Sequence, residues 1–151
     1  MREHSFEYLL RLATARARTA YPGAMFVGAH GTEPYDAGRY TGALMGAWRF
    51  VYRGAQGETV LVRSRFGTLD VPRAEREAWF FDRSFEPADI TLTLNEAAEI
   101  ARGRVAVRNC PTIVLRWPLG PLTLQPYYIF TQLDGRHAFV GTRVSSLQGE
   151  F

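Results

Sequence analysis

Lysine is missing from this chain of 151 residues, cysteine occurs once, and no apolar run is long enough to cross a bilayer. Without lysine there is neither a Schiff-base amine nor a lysine general base. With Cys110 alone there is no intrachain disulfide and no cysteine-rich zinc site. A membrane-spanning helix needs ~18 consecutive apolar residues, and the opening MREHSFEYLLRLATARARTAYPG is too charged for a signal peptide. These features lead us to expect a cytoplasmic protein with no membrane association. All 18 basic residues are arginine, as GC-rich, bacterial-type coding favours. The arginines are scattered, without a basic stripe or an RNA-binding signature among the aromatics, which argues against nucleic acid as a partner.

What is present reads as an α+β protein. From Ser5 to Ala20 the apolar positions Phe6, Leu9, Leu10, Ala13 and Ala17 recur at helical spacing. Ser5 is placed to cap that helix, and Tyr21-Pro22-Gly23 to stop it. Ala24 to His30 suits a short strand, and Gly31 to Gly42 a loop by its Gly, Pro and Asp content. Trp48, Phe50 and Tyr52 then alternate with Arg49, Val51 and Arg53, the period of a half-buried strand. GAQG turns the chain, and Glu58 to Phe66 returns it. Gly67 to Pro72 suits a turn or a last short strand, and Arg73 to Phe81 a short helix opened by Pro72.

The sharpest local signal is TLNEAAEIARG, where Thr93 and Glu96 have the S/T-x-x-E spacing of a capping box. Leu92 and Ala97 stand at the positions of the hydrophobic staple, and Gly103 at the stop. Strands are expected at Thr112 to Trp117, Tyr127 to Leu133 and His137 to Val144. The hairpin AWRFVYRGAQGETVLV therefore has a counterpart in PYYIFTQLDGRHAFVG. The register we expect matches Trp48, Phe50 and Tyr52 with Tyr127, Ile129 and Thr131, and Val60 and Val62 with Ala138 and Val140, the second turn being one residue shorter. The order helix, short strand, loop, hairpin occurs twice, which suggests a tandem duplication. The units would be residues 1–72 and 92–151, with 73–91 as a connector.

This element order, with TLNEAAEIA opening the second unit, PYYIFTQLDGRHAFVG closing it, and YPGAMFVGAHG and GAWRFVYRG in the first, resembles PepSY-like domains. These are small modules in which a helix packs on an antiparallel sheet. The resemblance covers about Ser5 to Leu147 and implies a non-enzymatic binding or inhibitory module; it brings no catalytic residues. A neighbouring reading is a single cystatin-like or NTF2-like cone, which would enclose a pocket.

For binding, IVLRWPLGPLTLQPYYIF stands out. Arg116, Trp117, Tyr127 and Tyr128 are residue types enriched at interface hot spots, and strand alternation would leave one of the two tyrosines exposed. Arg49 and Arg63, on outward positions of the first hairpin, could receive an anionic group. We expect recognition of a protein or peptide, ahead of a small molecule, without cofactor or metal, and a sheet edge open to homodimer pairing. The alternative is a small cofactor-free cyclase or isomerase, with His30 or a Tyr moving the proton and Glu33 or Asp36 orienting the imidazole. His137 and Asp134 read as a surface pair across a turn, and Cys110 as a buried structural thiol. A deep cavity with a buried His–carboxylate pair would favour the enzyme, and an exposed aromatic face the binder.

Overall fold

The computed structural model describes residues 5–34, 44–76, 83–120, 124–143 and 147–148. Helix α1 (Phe6–Ala20) begins where the Ser5 hydroxyl accepts the Tyr8 amide, and ends before Gly23, whose φ of 88° only glycine adopts freely. Then come β1 (Met25–Pro34), β2 (Met45–Arg53) and β3 (Thr59–Arg65), the short β4 (Thr68–Leu69) and β5 (Arg73–Glu75), α2 (Leu94–Ala101), and β6 (Thr112–Arg116), β7 (Tyr127–Thr131), β8 (His137–Gly141) and β9 (Leu147–Gln148).

Among the described residues the strands form one antiparallel sheet in the order β4-β3-β2-β1-β6-β7-β8-β9, with β5 also on the outer edge of β3. Each helix is thus followed by a three-stranded meander. The first strands of the two meanders, β1 and β6, pair at the centre from Gly28 opposite Arg116 to Thr32 opposite Thr112. Both helices cover the same face: α1 over β2 and β3, α2 over β7 and β8.

Between helices and sheet lies one continuous core. Phe6 packs on Trp48 at 4.6 Å between ring centroids, with Phe50 and Tyr128 around it, while Phe26 joins Tyr52 and Phe85. Fully burying one such side chain contributes about 1.5–3 kcal/mol, and Phe6 with Leu9, Leu10, Ala13 and Ala17 buries the inner face of α1 against the sheet. The strand-period side chains Trp48, Phe50 and Tyr52 all enter it, as their alternation requires.

Four expectations are corrected. The loop expected from Gly31 begins later, because β1 runs on through Gly31 to Pro34, paired with β6 as far as Thr32 and with β2 as far as Pro34; residues 35–43 lie outside the described residues. The helix expected from Arg73 is strand β5, which pairs Arg73–Glu75 with Thr59–Leu61, and Arg63 holds Glu75 at 2.9 Å; pairing with the open edge of β3 overrides the helix propensity of Arg, Ala and Glu, and residues 77–82 lie outside the described set. The hairpin match slips by one. Tyr128 and Phe130 share the core face and pair with Val140 and Ala138, as Phe50 and Tyr52 pair with Val62 and Val60. A one-residue slip flips every side chain, so Tyr127, Ile129 and Thr131 lie on the other face. Finally, the two turns have equal length. Gly54 and Gln132 bond to Glu58 and Arg136, and the amides of Gly57 and Gly135 return to Gly54 and Gln132 at 3.0 Å in both.

A candidate binding cleft beside helix α1

Helix α1 does not lie flush against the segment that leads into α2. Glu86 opens that segment, followed by a single 3₁₀ turn at Pro87–Asp89 and extended residues up to the Thr93 cap. Its backbone is fixed to the sheet: the amides of Thr91 and Leu92, and the Thr91 hydroxyl, all donate to the Thr142 carbonyl. Upstream, the Phe85 amide donates to Phe26 and its ring enters the core. Residues 86–93, which include the end of the expected connector, form a wall, and between it and α1 lies a cleft of about 520 Å³. That volume falls in the range of small-molecule sites.

Phe6, Leu10 and Tyr128 form the buried part of the lining, with Ile90, Leu92 and Pro87 opposite. Most polar groups there have internal partners. The Tyr128 hydroxyl donates to the Leu92 carbonyl at 2.9 Å, and Thr14 and Tyr52 share a hydroxyl–hydroxyl bond of 2.9 Å. Burial pushes the acidity of both phenols well down, so each keeps its proton. Arg18 spans the wall, pairing with Glu86 at 2.9 Å and donating to the Ala24 carbonyl. Glu7 accepts the first amide of α2, Leu94 N–H, at 2.9 Å, a bond between residues 87 positions apart in the chain. Burial raises its pKa, opposed by that bond and by its own backbone amide, and the Glu96 carboxylate adds to the rise.

The residues singled out from sequence do not converge. Arg49, Arg116 and Tyr127 share the face that, among the described residues, carries no helix. There Arg49 stands in register between His30 and Arg63, and Arg116 between Gly28 and Tyr127. Tyr128 is on the opposite, helix-covered face. Both tyrosines are buried, at 4% and 0% exposure, so neither is the exposed contact that alternation suggested; Tyr127 meets the edge of Phe139 instead. Trp117 sits at the end of β6, edge-on to Phe85, with the guanidinium groups of Arg83 and Arg143 at 5.2 and 4.9 Å from its ring.

His30 is half-buried beside Arg49, and burial first, then that charge, lowers its pKa. Glu33 pairs with Arg65 at 3.1 Å, and Asp36 lies outside the described residues. His137 bonds the Thr131 hydroxyl, while Asp134 receives the Arg136 amide; the turn geometry brings Asp134 to Arg136 and not to His137. Cys110 is buried, its thiol is pushed up to about 11 chiefly by burial, and it donates to the Ala106 carbonyl. Among the described residues no three His, Cys, Asp or Glu side chains gather as metal ligands.

Compared with known protein families, curated proteins and solved structures, the chain matches none. The cleft thus stands on its geometry alone. Sequence reasoning missed Glu7, Leu10, Ile90 and Leu92 as lining residues because they meet only through tertiary contact. The signal available was limited to Glu7 on the polar side of α1 and to the capping box fixing where α2 starts.

Proposed function

We propose that this protein is a non-catalytic binding module that holds a small, largely apolar ligand in the cleft between α1 and residues 86–93. The observation that carries this reading is the cleft itself: a cavity of about 520 Å³ whose hydroxyls are already bonded to protein partners. Apolar walls with few polar groups suit recognition. Proton transfer needs a group within reach that is poised to exchange a proton, and burial holds the Tyr128 proton in place while His30 is on the other side of the sheet. Both facts favour binding over the cyclase or isomerase alternative.

The same reading takes the chain as two PepSY-like copies. Its support is the helix-plus-meander order occurring twice and the two hairpins with equal turns. The lone buried thiol suits a reducing compartment such as the cytoplasm.

The test is a titration with 1-octanol followed by amide NMR shifts. Expected are shifts concentrated at Leu10, Ile90, Leu92 and Tyr128, and binding at least tenfold weaker in Ala15→Trp, which places a ring in the cleft from an exposed position of α1. Scattered shifts, or no effect of Ala15→Trp, would overturn the cleft as the site. Recognition would then pass to the opposite face of the sheet, with Arg49, Arg116 and Tyr127, and to a protein or peptide as partner.

A further inference from the structure

Of the charged groups lining the cleft, one stands apart. Arg18 and Glu86 satisfy each other. Arg11 is exposed, where any ion pair is screened and weak. Glu7 is the group drawn inward. Its carboxylate receives backbone N–H bonds, and among the described residues no cation lies within ion-pair distance of it. Arg18 is eleven residues further along α1, about 16 Å by helical rise. A half-buried carboxylate with no counter-ion among the described residues carries a desolvation cost, and a cation brought to it meets a lower dielectric than it would at the rim. The amide of Leu94 and the dipole of α2 offset part of that cost.

Resting on the binding reading above, we infer that the cleft selects a primary amine on an apolar body, such as an alkylamine, with its ammonium group on the Glu7 carboxylate and its chain along Phe6, Leu10 and Leu92. The rings of Phe6 and Tyr128, both lining the cleft, add surfaces that tolerate a cation. The raised pKa of Glu7 fits a carboxylate awaiting a cation, and the placement of Glu7 in the cleft stands without it.

The groups that set the charge around Glu7 are Glu96 from α2, Tyr128 from β7, Arg11 on its own helix, and the Arg18–Glu86 pair further along. Tyr128 stays neutral, and Glu96, with its pKa lowered by bonds from Thr93, stays ionised into the acid range. An alkylamine has a pKa close to the lysine value of about 10.4 and stays charged throughout. Amine affinity therefore falls as pH drops and Glu7 takes up its proton, above the ordinary glutamate value of 4.5. Alcohol affinity does not follow.

The experiment compares octylamine with 1-octanol by calorimetry on the full chain, in wild type and Glu7→Gln. Glutamine keeps an acceptor for the Leu94 amide, so the fold should persist, and circular dichroism checks it. Expected is at least tenfold tighter binding of octylamine in wild type, a preference lost in Glu7→Gln while octanol binding remains. In wild type alone, the preference should also vanish with falling pH. Equal affinities in wild type would overturn the amine inference and leave the cleft reading intact. If neither probe binds, the cleft reading fails and the inference with it. A preference that survives both Glu7→Gln and acid pH would assign the ammonium to another group and overturn the role of Glu7.

Discussion

Single residues in this fold are fixed by what stands opposite them. Gly31 faces Trp48 across β1 and β2, and a Cβ there would lie 2.8 Å from the indole Cη2 and 2.9 Å from Met45 Cγ. Its φ is not left-handed, so the demand is for space. The indole and Met45 are both buried, with little room to move. Gly31→Ala is therefore expected to cost about 1–3 kcal/mol, the range for overpacking a filled core, as a lower urea midpoint with an unchanged slope. The double variant with Trp48→Phe should cost less than the two single costs combined, since the smaller ring removes the clash. Additive costs would show that the collision is not the cause. A glycine beside Thr, Pro and Asp reads as loop when the sequence is taken alone. That it lies beneath a tryptophan depends on the register of two strands, and only the folded sheet provides it.

At the scale of elements, α2 is the part most fully written in the local sequence. Thr93 accepts the Glu96 amide and Glu96 accepts the Thr93 amide, the reciprocal bonds that the spacing encodes. A capping box acts within four residues, so no tertiary information is needed to find it. Strand β5 was illegible because Arg73–Glu75 is a strand only where β3 offers an edge. The tie from Glu7 to Leu94 was illegible for the same reason. That tie carries a prediction. The folded-state pKa of Glu7 is raised, so between the unfolded value and the raised one the native state binds more protons. Stability attributable to Glu7 is then greatest in acid and declines as pH rises through the folded pKa. Glu7→Gln removes the ionisable group and retains the acceptor, so it should raise the melting temperature at pH 7, and the gain should shrink as pH approaches 4.5 and below. A loss of stability at pH 7 would mean that the carboxylate's attraction for the two helix N-termini outweighs its burial. A stabilising change at a cleft residue would also fit a group kept for binding at some expense to the fold.

Across the whole molecule, the two hairpins were visible in the sequence, because strand alternation and turn glycines are local features. The register of the second was not, because Tyr127 and Tyr128 are the same residue type and either could face inward on pattern alone. Pairing with Val140 decides for Tyr128. The sequence pattern also suggested two units with a connector, yet one core takes residues from both helices and from strands on both sides of the β1–β6 pair. Ile113 sits in that core at the centre, on β6, opposite Gly31 of β1 and Phe130 of β7. Its truncation tests whether the halves are energetically one. Ile113→Ala should cost about 2–5 kcal/mol, as large-to-small changes in buried sites do. If the core is shared, hydrogen exchange will show equal loss of protection in the first meander, at Phe50 and Tyr52, and in the second, at Tyr128 and Phe130, because both open only by global unfolding. If protection falls in the second meander alone, the halves are separate cooperative units that merely touch at β1 and β6. The two results also bear on the cleft, whose α1 wall belongs to the first half and whose Tyr128 and α2-leading wall belong to the second. A shared core keeps those walls at fixed separation, the preorganisation that lets a small ligand bind without ordering the protein around it.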